Sequence, residues 1–153
     1  MKKGKYIGLQ SKLVKRSKML SCMGAYSCLF LCLCSIAEEY NDSHHTGIHT
    51  DILESAVLAR EKGLLADDWT CLDSVGILNA LTDTTWKREE LSALPKSIPS
   101  EMYTVEKWYN KNTGLTHFRR RWGDTLVNSK TVKEGKLQVF YAFSHEVLKG
   151  GAE

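Results

Sequence analysis

Proline is scarce in these 153 residues: there are two, Pro95 and Pro99, both between Thr82 and Ser100. That stretch therefore reads as a loop with at most a short helical turn. No internal repeat and no low-complexity segment is present. No C-x-x-C pair occurs among the five cysteines, and a C-x-C pair within one helix points its thiols apart, so the spacings are not those of a zinc site. A strong charge of one sign is also missing. The net charge is +3, which makes no case for a nucleic-acid partner. Basic residues crowd Lys2 to Lys18 and recur at Arg119, Arg120 and Arg121, with only Trp122 as an aromatic neighbour; both clusters read as solvated surface. Long apolar runs are lacking too. Met19 to Ala37 carries no formal charge and follows a basic stretch, which imitates a signal peptide or a membrane span of about 20 residues. It contains Gly24, three serines and four cysteines, however, and its apolar part, Leu29 to Leu33, is too short to span. A buried core helix is expected, with secretion or anchoring through 19–37 as the alternative.

What remains is an ordinary globular composition, 42% hydrophobic and 25% charged, in a chain long enough for one domain. The cysteine count is odd, and four of the five fall within 13 residues. Free buried thiols in a reducing cytoplasm fit that pattern better than a disulfide framework.

The order of elements is helices first and sheet later, an α+β arrangement within a single domain spanning 1–153. After the basic segment 1–18, which holds a possible short strand at Tyr6–Leu9, the helical part covers 24–81. Its first helix is expected over 24–40, opening at Gly24. Thr50 is the expected N-cap of a second helix, with Ile52, Leu53, Ala56, Val57 and Ala59 at helical spacing and Gly63 as its left-handed end. A third helix runs from Asp73 to Leu81, capped by Asp73 or Ser74. The sheet part covers 103–145. Tyr103 to Tyr109 fits strand or helix, Thr116 to Arg119 reads as a strand, and Leu137 to Phe143 as a stronger one. His45 and His49 have H-x-x-x-H spacing, but Gly47 lies between them and no third ligand is evident; surface or capping histidines are the expectation.

Thiol hydrolysis needs a cysteine at a helix N-terminus, a histidine to take its proton, a carboxylate or amide to orient that histidine, and a donor for the oxyanion. Several segments carry such residues in order. Met23-Gly24-Ala25-Tyr26-Ser27-Cys28-Leu29, continuing to Ile36-Ala37-Glu38-Glu39, resembles the nucleophile helix of small bacterial and phage proteins related to papain-like (C39-like) cysteine peptidases. Glu61 to Asp68 is similar to the stretch that follows the second helix there. Thr116-His117-Phe118 resembles their histidine strand, and Asp124 to Lys136 the turn after it, with Thr125 in place of a proline. Gln10-Ser11 lies about where those proteins place the glutamine of the oxyanion hole.

The resemblance implies a papain-like fold, the nucleophile helix packed on a C-terminal antiparallel sheet. It implies His117 as base, Asp124 as its orienting partner with Asn128 as the alternative, and Gln10 as oxyanion donor. It places Ala25 where the nucleophilic cysteine belongs. The implied activity is cleavage of a peptide or isopeptide bond through a thioester, without cofactor or metal, on a protein or peptide substrate in the cytoplasm, with neither nucleic acid nor membrane as partner. Three explanations of Ala25 stand: an engineered cysteine-to-alanine change, a non-catalytic pseudoenzyme that binds a protein partner through the old cleft, or a shifted alignment with Cys22 or Cys28 as the nucleophile. On a helix opening at Gly24, Cys28 falls about one turn inside, where its thiol is expected to be buried and inert.

Overall fold

The computed structural model describes residues 6–10, 27–49, 51–66, 68–126 and 129–145. Ala25, Cys22, Thr50 and Asn128 lie outside them. Among the described residues, three helices precede a four-stranded antiparallel sheet, and a further short helix lies between two of its strands.

Helix α1, Cys28–Ser43, is the centre of the core. Phe30, Leu31, Cys32, Leu33, Cys34, Ile36 and Ala37 are all fully buried on it. A helix enclosed on every side needs no polar face, which is why its first ten residues carry no charge. No helix among the described residues is long and apolar enough to cross a membrane. The start of α1 corrects the expected opening at Gly24. Ser27 precedes the first helical residue with non-helical backbone angles, so Cys28 stands in the first turn and not one turn inside.

Helix α2, Ile52–Glu61, is capped by Asp51, whose carboxylate accepts from the Glu54 N–H at 3.0 Å. The cap is therefore one residue beyond the expected Thr50. At the other end Gly63 takes φ +72°. The Gly63 N–H donates to Arg60 O and the Leu64 N–H to Ala59 O, the paired bonds of a Schellman end. The inward face of α2 is narrower than its spacing suggests: Ala56 and Ala59 are buried, while Leu53 and Val57 are each 53% exposed. Helix α3, Ser74–Leu81, is capped by the Asp73 carboxylate on the Gly76 N–H at 2.9 Å and buries Ile77, Leu78 and Leu81.

The strands are β1 (Trp86–Leu91), β2 (Met102–Asn110), β3 (Leu115–Arg119) and β4 (Lys136–His145), in the order β1-β4-β2-β3. Helix α4, Lys130–Glu134, joins the β3 loop to β4 and bears on β2. The aromatic-rich β4 takes an inner position, bonded to β1 on one side and β2 on the other. Tyr103 to Tyr109 belongs to a strand. Two expectations fail. Trp86–Leu91 is an edge strand inside the supposed loop, and Tyr6 to Gly8 form a turn, with helical backbone at Leu9, where a short strand was expected. Strand β1 reads W-K-R-E-E-L; only its Trp86 is buried, and charge along an edge is how sheets avoid pairing with other chains.

The three arginines are not one solvated cluster. Arg120 is buried: its Nε donates to Thr104 O at 3.0 Å, and its two terminal nitrogens reach Ser35 Oγ at 3.2 Å and Glu39 Oε2 at 3.3 Å. It thereby fastens α1 to β2. Arg119 donates to Glu106 at 2.6 Å and lies over the Trp108 ring.

Candidate active site

Two structural choices bring the site together. Helix α1 presents its first residue, Cys28, toward the sheet, and β3 turns His117 inward from its position opposite Trp108. His117 is 4% exposed and lines the same cleft as Cys28, whose sulfur is among the groups that act on its charge. After β3 the chain makes a tight turn, with a bridge between Arg120 and Gly123, and returns Asp124 to the same strand. The His117 Nε2–H donates to Asp124 Oδ1 at 2.6 Å. The same carboxylate oxygen accepts the Leu126 N–H at 3.0 Å, which fixes its direction. With Nε2 committed to Asp124, Nδ1 is the nitrogen left to face the thiol.

The electrostatics follow from these partners. Burial works against the charged imidazole. The hydrogen bond to the Asp124 carboxylate, with the Cys28 sulfur nearby, outweighs it and pushes His117 up to about 9. His117 is therefore imidazolium at neutral pH. The other described thiols differ. Burial raises Cys32 and Cys34 far above the ordinary range, and Cys71 to about 12. Those three are neutral thiols, and Cys32 and Cys34 pack as small apolar groups.

Gln10 completes the set. It is 2% exposed and is held by the loop that carries the acid. The Gly8 N–H donates to Asp124 O at 3.0 Å and the Gln10 N–H to Thr125 O at 2.7 Å. The Thr125 hydroxyl donates to the Gln10 side-chain carbonyl at 3.1 Å. With that oxygen occupied, the amide NH2 is the end of Gln10 with donors to offer. Gln10, Cys28 and His117 line one cleft of about 780 Å³. Its walls add Arg88, Lys107 and Lys130, with no carboxylate among the described lining residues. Arg88 is fixed there by Ser74 Oγ at 3.2 Å and by the Tyr141 ring.

Of the residues singled out from sequence, the structure thus brings Gln10, His117 and Asp124 together, while Ala25 lies outside the described residues. The thiol that shares the cleft with His117 is that of Cys28; it is buried, as expected, but it stands at the first helical residue and not one turn inside the helix. The signal for it was present. Ser27 is a preferred N-cap residue type and stands directly before the apolar run, whereas Gly24 lies further upstream. Thr125, which holds Gln10, was legible only as a departure from a proline. His45 and His49 are exposed on the connector and belong to no metal-competent group among the described residues. No family model matches the chain, and no curated protein or solved structure matches it.

Proposed function

We propose that this chain is a cysteine peptidase of papain-like architecture whose nucleophile is Cys28. The observation that carries the proposal is the cleft that gathers Cys28, His117 and Gln10, with His117 hydrogen-bonded to Asp124 at 2.6 Å. The first-turn N–H groups of a helix and an adjacent imidazolium are the partners that favour a thiolate. In the reaction the Cys28 sulfur attacks the scissile carbonyl carbon. The resulting oxyanion is held by the Gln10 amide and the Cys28 backbone N–H. His117 gives its proton to the leaving amine, the C–N bond breaks, and a thioester remains. Water then attacks the thioester with His117 as base, which releases the acid and restores the thiol. Every residue that this scheme needs is present in the chain, so it requires no substitution at Ala25. A protein or peptide is the substrate, and the Arg88, Lys107 and Lys130 wall favours acidic side chains beside the bond cut.

The test is covalent. A peptidyl chloromethyl ketone with acidic residues is expected to alkylate Cys28 selectively at neutral pH, located by tryptic mass spectrometry. Equal labelling of all thiols, or labelling only after denaturation, would sink the proposal.

Two further results are expected. Gln10→Ala should lower kcat by about 10²–10³-fold, with KM changed far less, since the lost donor serves the tetrahedral oxyanion. The pH dependence of kcat/KM should fall on the alkaline side near pH 9, where His117 loses its proton. The sign for stability is the same. A folded-state value above the unfolded one stabilises the fold fully below about 6.5, and that contribution is lost as pH rises through about 9. Asp124→Asn removes a charge and an anionic acceptor from His117, so the alkaline limb should move to lower pH.

A further inference from the structure

A second convergence of ligating groups lies outside the cleft, where the end of α1 meets the sheet. His44 directly follows α1, Glu101 directly precedes β2, and His145 ends β4. One ligand atom from each lies within 4.8 Å of the others. His145 Nε2 is 2.6 Å from one Glu101 oxygen, and His44 Nε2 is 3.5 Å from the other.

The hydrogen-bond partners of the two rings orient the cluster. His44 Nδ1 is 3.0 Å from Tyr40 O. A carbonyl only accepts, so Nδ1 carries a hydrogen, and in the neutral ring Nε2 turns a lone pair toward Glu101. His145 is enclosed: its side chain is 0% exposed, and its Nδ1 is buried without a hydrogen-bond partner. The ring sits among those of Tyr40 and Trp86, with centroids at 4.9 and 5.3 Å. The 2.6 Å approach of His145 Nε2 to a carboxylate oxygen is a hydrogen bond, with the Nε2–H donating to Glu101. An ion entering the cluster displaces that proton, and the Nε2 lone pair then takes the metal beside His44 Nε2 and the Glu101 carboxylate.

We propose that His44, Glu101 and His145 form a divalent-cation site, and that Zn2+ is the ion it takes. Two imidazoles and one carboxylate are a set that zinc accepts, leaving a coordination position for water. Glu101 and His44 are partly exposed, with side chains 31% and 25% accessible, so an ion has a way in. The backbone carbonyl of Tyr40 holds His44 in the ligating tautomer, as an outer partner of a metal-bound histidine does. The ion would join the end of α1 to β2 and β4. This inference is independent of the peptidase reading.

The experiment is a titration of the metal-free full chain with ZnCl2 against a chelating indicator dye, followed by thermal melts. One equivalent should bind and raise Tm. His44→Ala and Glu101→Gln should each weaken binding by at least about a hundredfold, since even outer partners of metal ligands contribute 10–100-fold. Because the chain has cysteines, Co2+ substitution decides the ligand type in the unmutated protein. A spectrum without a thiolate-to-cobalt charge-transfer band supports the site. A strong charge-transfer band, zinc binding unchanged in both variants, or no stoichiometric binding overturns it.

Discussion

Replacing Cys28 with alanine is expected to reduce peptide hydrolysis by at least about a thousandfold while the chain stays folded. The magnitude comes from losing the covalent route altogether, since Cys71, the other described thiol that lines the cleft, is not placed at a helix N-terminus. Cys32 and Cys34 are fully buried, and burial keeps Cys71 protonated, at about 12. The fold should tolerate the change, since Cys28 sits at the first helical residue and alanine suits a helix. Removing the sulfur also strips His117 of one of the two partners that hold it charged, so its titration should move to lower pH. Histidine proton NMR reads that shift directly and separates a lost nucleophile from a misfolded chain. Ala25→Cys supplies the contrast. If Cys28 is the nucleophile, a new thiol at position 25 should leave both activity and the site of labelling unchanged. If labelling and activity pass to position 25, the assignment of Cys28 fails.

How far the sequence could lead depended on which residues carried a pattern. Strands β3 and β4 were legible because aromatic and β-branched residues concentrate there, and α3 because Asp73 caps a short apolar repeat. Strand β1 was opaque for the opposite reason. Four of its six residues are charged and face solvent, and the prolines that follow it suggested a loop. The start of α1 was hidden by the helix's own burial: with apolar residues all round, no polar face sets the phase, and the first residue cannot be read from periodicity. That ambiguity of about one turn left Ala25 as the expected nucleophile position, where Cys28 is now the proposed one. Sequence order sufficed to single out His117 and Asp124, seven residues apart. What joins them at 2.6 Å is the tight turn through Arg120 and Gly123, a matter of backbone geometry that composition does not encode. The cluster of His44, Glu101 and His145 had no linear signature at all, because its members come from distant parts of the chain.

Arg120→Ala should lower stability strongly although the residue is remote from the thiol. Its guanidinium is enclosed, and burial disfavours the charge so strongly that its pKa is lowered despite the carboxylate of Glu39. The fold keeps the cation because three acceptors on two elements need it: Thr104 O on β2, and Ser35 Oγ and Glu39 Oε2 on α1. Truncation leaves those acceptors without their donor and empties the space against the Trp122 ring. Breaking a buried pair by deleting one partner costs about 3–5 kcal/mol. Glu39 retains 22% side-chain exposure and can be hydrated once released, so the lower end, about 3 kcal/mol, is expected. For a chain of this size that corresponds to a fall in Tm of roughly 10 °C. Arg120→Lys should recover only part of it, since an ammonium cannot span three acceptors in a planar fork. Arg121→Ala provides the control. Its side chain is exposed, and its removal should change Tm by no more than about 1–2 °C. A similar loss for Arg120 and Arg121 would mean that the buried arginine contributes nothing beyond surface charge.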